Sequence, residues 1–219
     1  MVKVIEFGAS NTIINNYIAE LRDVNVQGDR MRFRKNLERI GELAAYEISK
    51  TLDYQKVCVR TPLGEKEMNV LVEQPVLATI MRAGLPLHQG FLNVFDKADN
   101  AFIAAYRKYD KNEDFEIRIE YYSAANIDGR VLMLVDPMLA TGSSLVQCLE
   151  GLLHEEMVPK KLHLVAVIAS AEGVDYVKKK LRNYDATLWV GNIDDELTAK
   201  AYIVPGLGDA GDLAYGEKE

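Results

Sequence analysis

The sequence predicts an α/β fold, a mainly parallel central sheet flanked by helices. Two observations carry this. Short runs apolar on consecutive positions recur at residues 76–81, 101–106, 131–135, 164–169 and 187–190, which suits strands covered on both faces. Helix-like stretches separate them, and strands alternating with helices imply right-handed βαβ units. The 219 residues can bury a substantial single core. No internal repeat or low-complexity linker divides them, so residues 1–219 read as one domain.

Taken in order, residues 1–28 mix polar and β-branched positions without strong periodicity and read as an N-terminal arm. A helix follows, because Leu37, Ile40, Leu43, Ala44, Ile48 and Leu52 recur at steps of three and four. Residues 56–72 alternate in character around Pro62 to Gly64 and predict a hairpin. The strand–helix series begins at residue 76. Ligands of such sheets bind beyond the carboxyl ends of the strands. Chemistry is therefore sought after Met81, Tyr106 and Val135.

Composition limits the partners. Apolar residues at 48% and charged residues at 27% are the balance of an ordinary soluble domain. A formal charge of −7 argues against a nucleic-acid or anionic-membrane footprint. The run of Lys178, Lys179, Lys180 and Arg182 reads as the solvated end of a helix, where the dipole favours cations. Cys58 and Cys148 lack metal-ligand spacing and read as reduced, semi-buried thiols. His88, His154 and His163 likewise show no ligand spacing and read as packing or helix-end residues. The N-terminus lacks the pattern of a secretory signal, and the apolar stretch at 162–171 is too short to span a bilayer. A soluble, cytoplasmic protein is expected.

After Val135 the chain reads Asp136, Pro137, Met138, Leu139, Ala140, Thr141, Gly142, Ser143, Ser144 and then a helical stretch. Small side chains allow close backbone approach, and the hydroxyls add donors. The unpaired N–H groups and dipole of the following helix favour an anion. The loop has no lysine and lacks GxxxxGK[ST] spacing, so it is not the nucleotide loop of a triphosphatase. Simple helix capping by Thr141 or Ser143 would explain one residue. It would not explain an acidic strand end followed by a Thr-Gly-Ser-Ser turn.

This segment, LVDPMLATGSS, resembles the phosphoribosyl-diphosphate (PRPP) motif of the type I phosphoribosyltransferases. Many members carry two adjacent acidic residues at the strand end, whereas here Asp136 is followed by Pro137. That departure fits one branch, the uracil phosphoribosyltransferases, whose loop resembles DPMLATG. Ser143 stands where that branch often has Gly. The resemblance implies that Asp136 to Ser144 bind PRPP. It also extends to Met81-Arg82-Ala83-Gly84-Leu85 and to Tyr106-Arg107, where Arg82 and Arg107 would meet the diphosphate. Two guanidiniums suit a leaving group whose charge grows as its bond breaks. Arg107 is thus a catalytic candidate as well as a PRPP ligand. Residues 108–129 alternate in character and would form a hairpin flap that closes over the site and excludes water.

The C-terminal string YIVPGLGDAGD contains Gly206, Gly208 and Gly211 at GxGxxG spacing. A dinucleotide fingerprint must open a helix within a βαβ unit, and eight residues remain after Gly211. The string instead resembles the base-binding segment of the uracil branch. That resemblance implies a C-terminal hood whose main chain at Ile203, Gly208, Asp209 and Ala210 binds uracil. Asp209 would also lie near PRPP and its metal, as a second catalytic candidate. Uracil is flat and alternates acceptors with donors, so backbone groups can read its edge and penalise cytosine.

The resemblance covers residues from about 20 to the C-terminus. It implies transfer of a phosphoribosyl group from PRPP to uracil N1, giving UMP and diphosphate. Mg²⁺ would act as cofactor, held mainly through PRPP with no dedicated protein metal site. It also leaves GTP as a candidate effector and a homo-oligomer, dimer or tetramer, as the candidate assembly. Purine or orotate enzymes of the same fold are disfavoured by the C-terminal segment. A pyrimidine-sensing RNA-binding regulator is disfavoured by the charge. A non-catalytic relative is disfavoured because Arg82, Arg107, Asp136 and Asp209 are all present.

Overall fold

The computed structural model describes residues 2–109, 115–153 and 157–217, with the backbone alone over 105–109 and 115–122. Its strands are β1 (Lys3–Glu6), β2 (Tyr54–Thr61), β3 (Gly64–Leu71), β4 (Val76–Met81), β5 (Asp99–Tyr109) and β6 (Phe115–Ser123). They continue with β7 (Val131–Val135), β8 (Met138–Leu139), β9 (Lys161–Ser170), β10 (Ala186–Asp194), β11 (Glu196–Leu197) and β12 (Ile203–Val204). The helices are α1 (Ile13–Arg22), α2 (Arg30–Ser49), α3 (Leu85–Val94), α4 (Ser143–Leu152), α5 (Ala171–Lys180) and α6 (Ala210–Tyr215).

The central sheet runs β1-β10-β9-β7-β4-β5-β6, with β8 added beside β9. All its pairings are parallel except β5 with β6, which is antiparallel. This is the mainly parallel, helix-flanked sheet that the consecutive apolar runs require. On β7, Val131, Met133 and Val135 join the core beneath α1, α2, α3 and α6, while Leu132 and Leu134 join the core beneath α4 and α5. A strand buried on both faces cannot alternate with polar residues, which is why the run reads as uniformly apolar.

Residues 1–28, expected to be an arm, contribute two regular elements to the body. Strand β1 pairs in parallel with β10 at the sheet edge, and α1 buries Ile14, Ile18 and Leu21 in the core. Four-residue strands and ten-residue helices leave too few turns for periodicity to stand out. Helix α2 carries the stripe of Leu37, Ile40, Ala44 and Ile48 and is capped by the Asp29 carboxylate.

The predicted hairpin is present as β2 and β3, paired from Tyr54 with Leu71 to Thr61 with Gly64. It leaves the body with both faces largely exposed. Cys58 lies there and is exposed rather than semi-buried, whereas Cys148 is buried. Of the flap read at 108–129, the structure gives β6 paired antiparallel with β5, which begins at Asp99 and so lies mostly before it; residues 110–114, and His154, lie outside the described residues. Lys178, Lys179 and Lys180 form the last turn of α5, Arg182 follows its end, and all four are solvent-facing. Among the described residues, no helix is long and apolar enough to cross a membrane.

Candidate active site at the carboxyl ends of β4 and β7

Neighbouring strands β4 and β7 end side by side, with Thr79 in register with Val135. The Thr79 hydroxyl donates to the Val135 carbonyl at 3.3 Å. The turn of Arg82, Ala83 and Gly84 then folds back over both strand ends. A Cβ placed on Gly84 would collide with Thr79 Oγ1 and lie 3.2 Å from the Val135 oxygen. The turn after β4 thus sits against the start of the Asp136 loop. The peptide bond between Met81 and Arg82 is cis.

The loop itself is built as its sequence suggests. Asp136 Oδ1 accepts from the Met138 N–H at 3.4 Å, and Thr141 Oγ1 accepts from the Ser143 N–H at 3.3 Å. Gly142 adopts φ +77 immediately before α4, a conformation that costs glycine little. The α4 N-terminus therefore faces the loop, as anion binding at a helix start needs.

Two residues without a part in the sequence reading hold this loop from below. The Ser170 hydroxyl donates to the Ala140 carbonyl at 2.6 Å and accepts from the Gly173 N–H at 2.9 Å, capping α5. Gly173 approaches so closely that an added Cβ would collide with the Ala140 oxygen. A Ser at the end of an apolar run, before a helical stretch, is the signal that would have found the cap. Its second bond, to Ala140, has no sequence signal. Behind the loop, burial pushes the Cys148 thiol up to about 12, and the Asp136 charge adds to the effect. That thiol stays protonated and unreactive at neutral pH.

Strand β5 runs three residues past Tyr106, to Tyr109, so Tyr106 and Arg107 lie within it rather than after it. Its pairing with β4 stops at Ala104 opposite Met81. Beyond the irregularity at Ala104 and Ala105 it pairs with β6 alone, Arg107 opposite Ile117. Arg107 is thus carried by the overhang beyond the carboxyl end of β4. Its side chain lies outside the described residues.

The C-terminal segment closes over these loops. Strands β11 and β12 form a separate two-stranded ribbon, followed by turns at Gly206 (φ +55) and Gly208 (φ +94) and the short helix α6. The glycines do follow a strand and open a helix. The strand they follow, β12, pairs only with β11 in a separate antiparallel ribbon, unlike the parallel strand of a dinucleotide βαβ unit. Asp209 caps α6 by accepting from the Asp212 N–H at 2.9 Å. Arg82 reaches this segment: its Nη2 donates to Asp212 Oδ1 at 2.9 Å and to the Gly216 carbonyl at 3.2 Å. The geometry therefore brings Arg82 to the Asp209–Asp212 turn and the turn of Arg82 to the Asp136 loop.

A family model for uracil phosphoribosyltransferase matches residues 9–217. The chain belongs to the uracil phosphoribosyltransferase family. A uracil phosphoribosyltransferase of Porphyromonas gingivalis is 50% identical over 217 residues, covering 99% of this chain and 100% of its own. One from Pyrococcus furiosus is 39% identical over 207 residues, covering 93% and 86% respectively. The solved structure of the AQ2163 protein from Aquifex aeolicus superposes with a TM-score of 0.85 at 32% identity, covering 97% of this chain and 98% of that one. The family joins the phosphoribosyl group of PRPP to uracil, giving UMP, in pyrimidine salvage.

The two described histidines, His88 and His163, are buried packing residues. His88 is buried edge-on to Phe102, and burial lowers its pKa. His163 is buried and accepts from Trp189 Nε1 at 3.0 Å. Among the described residues no three His, Cys, Asp or Glu side chains converge to hold a metal.

Proposed function

We propose that this chain transfers the phosphoribosyl group of PRPP to uracil N1. The observation that supports it most is the meeting of three loops at the carboxyl ends of the central strands: the Arg82 turn, the Asp136–Ser144 loop and the Gly206–Asp212 segment, linked by Thr79 to Val135 and by Arg82 to Asp212. Thr141, Gly142, Ser143 and Ser144, with the α4 N–H groups, would take the 5-phosphate. Asp136 would take the ribose hydroxyls. Arg82 and Arg107 would stabilise the departing diphosphate. The main chain at Ile203, Gly208 and Ala210 would bind uracil, with Asp209 beside the reacting groups.

In the reaction the bond from ribose C1 to diphosphate breaks, and the diphosphate leaves with the electron pair. Uracil N1 bonds to C1 from the opposite face and gives up its proton. No side chain serves as a covalent nucleophile; positioning and charge stabilisation supply the rate. Mg²⁺ would enter with PRPP. A hard cation of this kind is bound mainly by substrate oxygens, with Asp209 near it.

Three finer readings accompany this one. The protein works in the cytoplasm. GTP acts as effector, so adding it to the assay changes the rate. The chain self-associates, with the long helix α2 and the N-terminal segment as the elements that pack on a partner subunit; sedimentation showing only monomer at micromolar concentration overturns that. The decisive experiment measures diphosphate release from PRPP with uracil, cytosine, orotate and hypoxanthine in parallel. Uracil should be the best substrate, and preference for any other base overturns the proposal.

A further inference from the structure

A base read by main-chain groups is read only as well as that main chain is held. Side chains can adjust to a ligand by changing rotamer, but backbone N–H and C=O groups move only if the loop moves. The glycine turns ahead of Gly208 have no side chains with which to anchor themselves. What fixes them must come from elsewhere in the fold.

The fixing groups come from two distant elements. Arg22, the last residue of α1, forms a two-pronged pair with Asp194, the last residue of β10: Nη1 to Oδ2 at 2.7 Å and Nη2 to Oδ1 at 2.8 Å. The same two side chains grip Gly206 by both of its backbone groups. Arg22 Nη1 donates to the Gly206 carbonyl at 2.9 Å, and the Gly206 N–H donates to Asp194 Oδ2 at 2.9 Å. Gly206 has φ +55, and a Cβ there would collide with the Ile203 carbonyl. One residue on, Gln27 Nε2 donates to the Leu207 carbonyl at 3.3 Å while also contacting the Leu21 and Arg22 carbonyls. Asp194 is 8% exposed and Arg22 22%, so the pair sits largely out of water, where such bonds are directional and strong.

We infer that Arg22, Asp194 and Gln27 are positioning residues for the base, holding Gly206 and Leu207 so that the next main-chain groups, at Gly208 to Ala210, present a fixed edge to uracil. This rests on the proposed uracil reading. A plain structural staple between α1 and the sheet would also use an ion pair. It would have no reason to aim its Nη1–Oδ2 prong at both backbone groups of one glycine. The N-terminal segment, remote from the chemistry in sequence, thereby becomes part of the specificity apparatus.

The test compares wild type with Asp194→Asn, Arg22→Lys and Gln27→Ala. In Asp194→Asn the amide N–H₂ must face the guanidinium in either orientation, and in one of them the Gly206 N–H as well, donor against donor. Arg22→Lys keeps the charge but loses the fork. KM for uracil should rise roughly tenfold or more in the first two variants and less in Gln27→Ala. KM for PRPP should stay within about twofold, and the preference for uracil over cytosine should fall. A staple would lower the melting temperature or the active fraction and leave KM for uracil unchanged, and that result overturns the inference. Hydrogen exchange across residues 203–209 is the second readout: it should quicken in the variants while β9 and α4 stay protected, and unchanged exchange in Asp194→Asn also overturns the inference. Wild-type protein that fails to use uracil would sink the functional reading instead, which keeps the two failures apart. Should Asp194→Asn not fold, Gln27→Ala, which leaves the ion pair intact, decides by the same criteria.

Discussion

The Arg82 guanidinium lies 2.9 Å from the Asp212 carboxylate and joins the turn after β4 to α6 across 130 residues of chain. Both side chains are about one-third exposed, so the pair contributes little to stability. Its consequence is orientation: a planar group aimed by one anion is preset to meet another.

Asp212→Asn should therefore leave the unfolding free energy within about 1 kcal/mol of wild type. KM for PRPP should rise about threefold or more as the guanidinium loses its guide. Arg82→Ala, which removes the guanidinium itself, should lower kcat/KM for PRPP by roughly a hundredfold. Steady-state kinetics and urea melts check both. Unchanged KM for PRPP in Asp212→Asn would show that Arg82 needs no orienting partner.

Ser170 and Gly173 hold Ala140, and with it the phosphate loop, against the start of α5. Ser170→Ala loses a helix cap and the bond to Ala140, and should cost about 1–2 kcal/mol in denaturant unfolding. Gly173→Ala drives a methyl into the Ala140 carbonyl, so the loop must shift. KM for PRPP should then rise about tenfold, with a smaller change for uracil. Equal effects on both substrates would point to general unfolding instead.

His163 carries a pH dependence that is separate from catalysis. Burial, with a smaller contribution from the Lys161 charge, lowers its pKa to about 4, while in the unfolded chain it titrates near 6.5, as is typical. The folded form stays neutral where the unfolded form takes up a proton. Stability is thus complete above about pH 6.5, falls as the pH drops towards 4, and loses nothing further from this group below that. The full loss is about 3 kcal/mol. In His163→Gln, where an amide oxygen can still accept from Trp189, most of that slope should vanish. Chemical melts at pH 7, 5.5 and 4 measure it, and parallel slopes in the two proteins would refute the assignment.

Much of the site is legible in the residues themselves. The apolar runs of β4 and β7 place the strand ends, and the residue types after them place an anion loop and a guanidinium turn. Residues 203–210 are legible through their resemblance alone, since a glycine turn has no chemistry of its own. The edge strand β1 and helix α1 are not legible, because four and ten residues give too short a sample of any period. Nor is the extent of β5, whose overhang is set by pairing with β6 rather than by its own pattern.

By itself the sequence determined the sheet-and-helix layering, the order of the loops and the family to which the chain belongs. The layering and the loops follow from patterns local to a few residues, where burial and turn chemistry dictate residue type, and the family follows from the resemblance of its motifs. Only the tertiary structure decided that Arg82 meets Asp212, that Ser170 carries Ala140, and that Arg22 and Asp194 close on Gly206. Those contacts join residues 12 to 184 positions apart. Their geometry depends on how whole elements pack, and a polar side chain bears no mark in sequence of the distant backbone group it will hold.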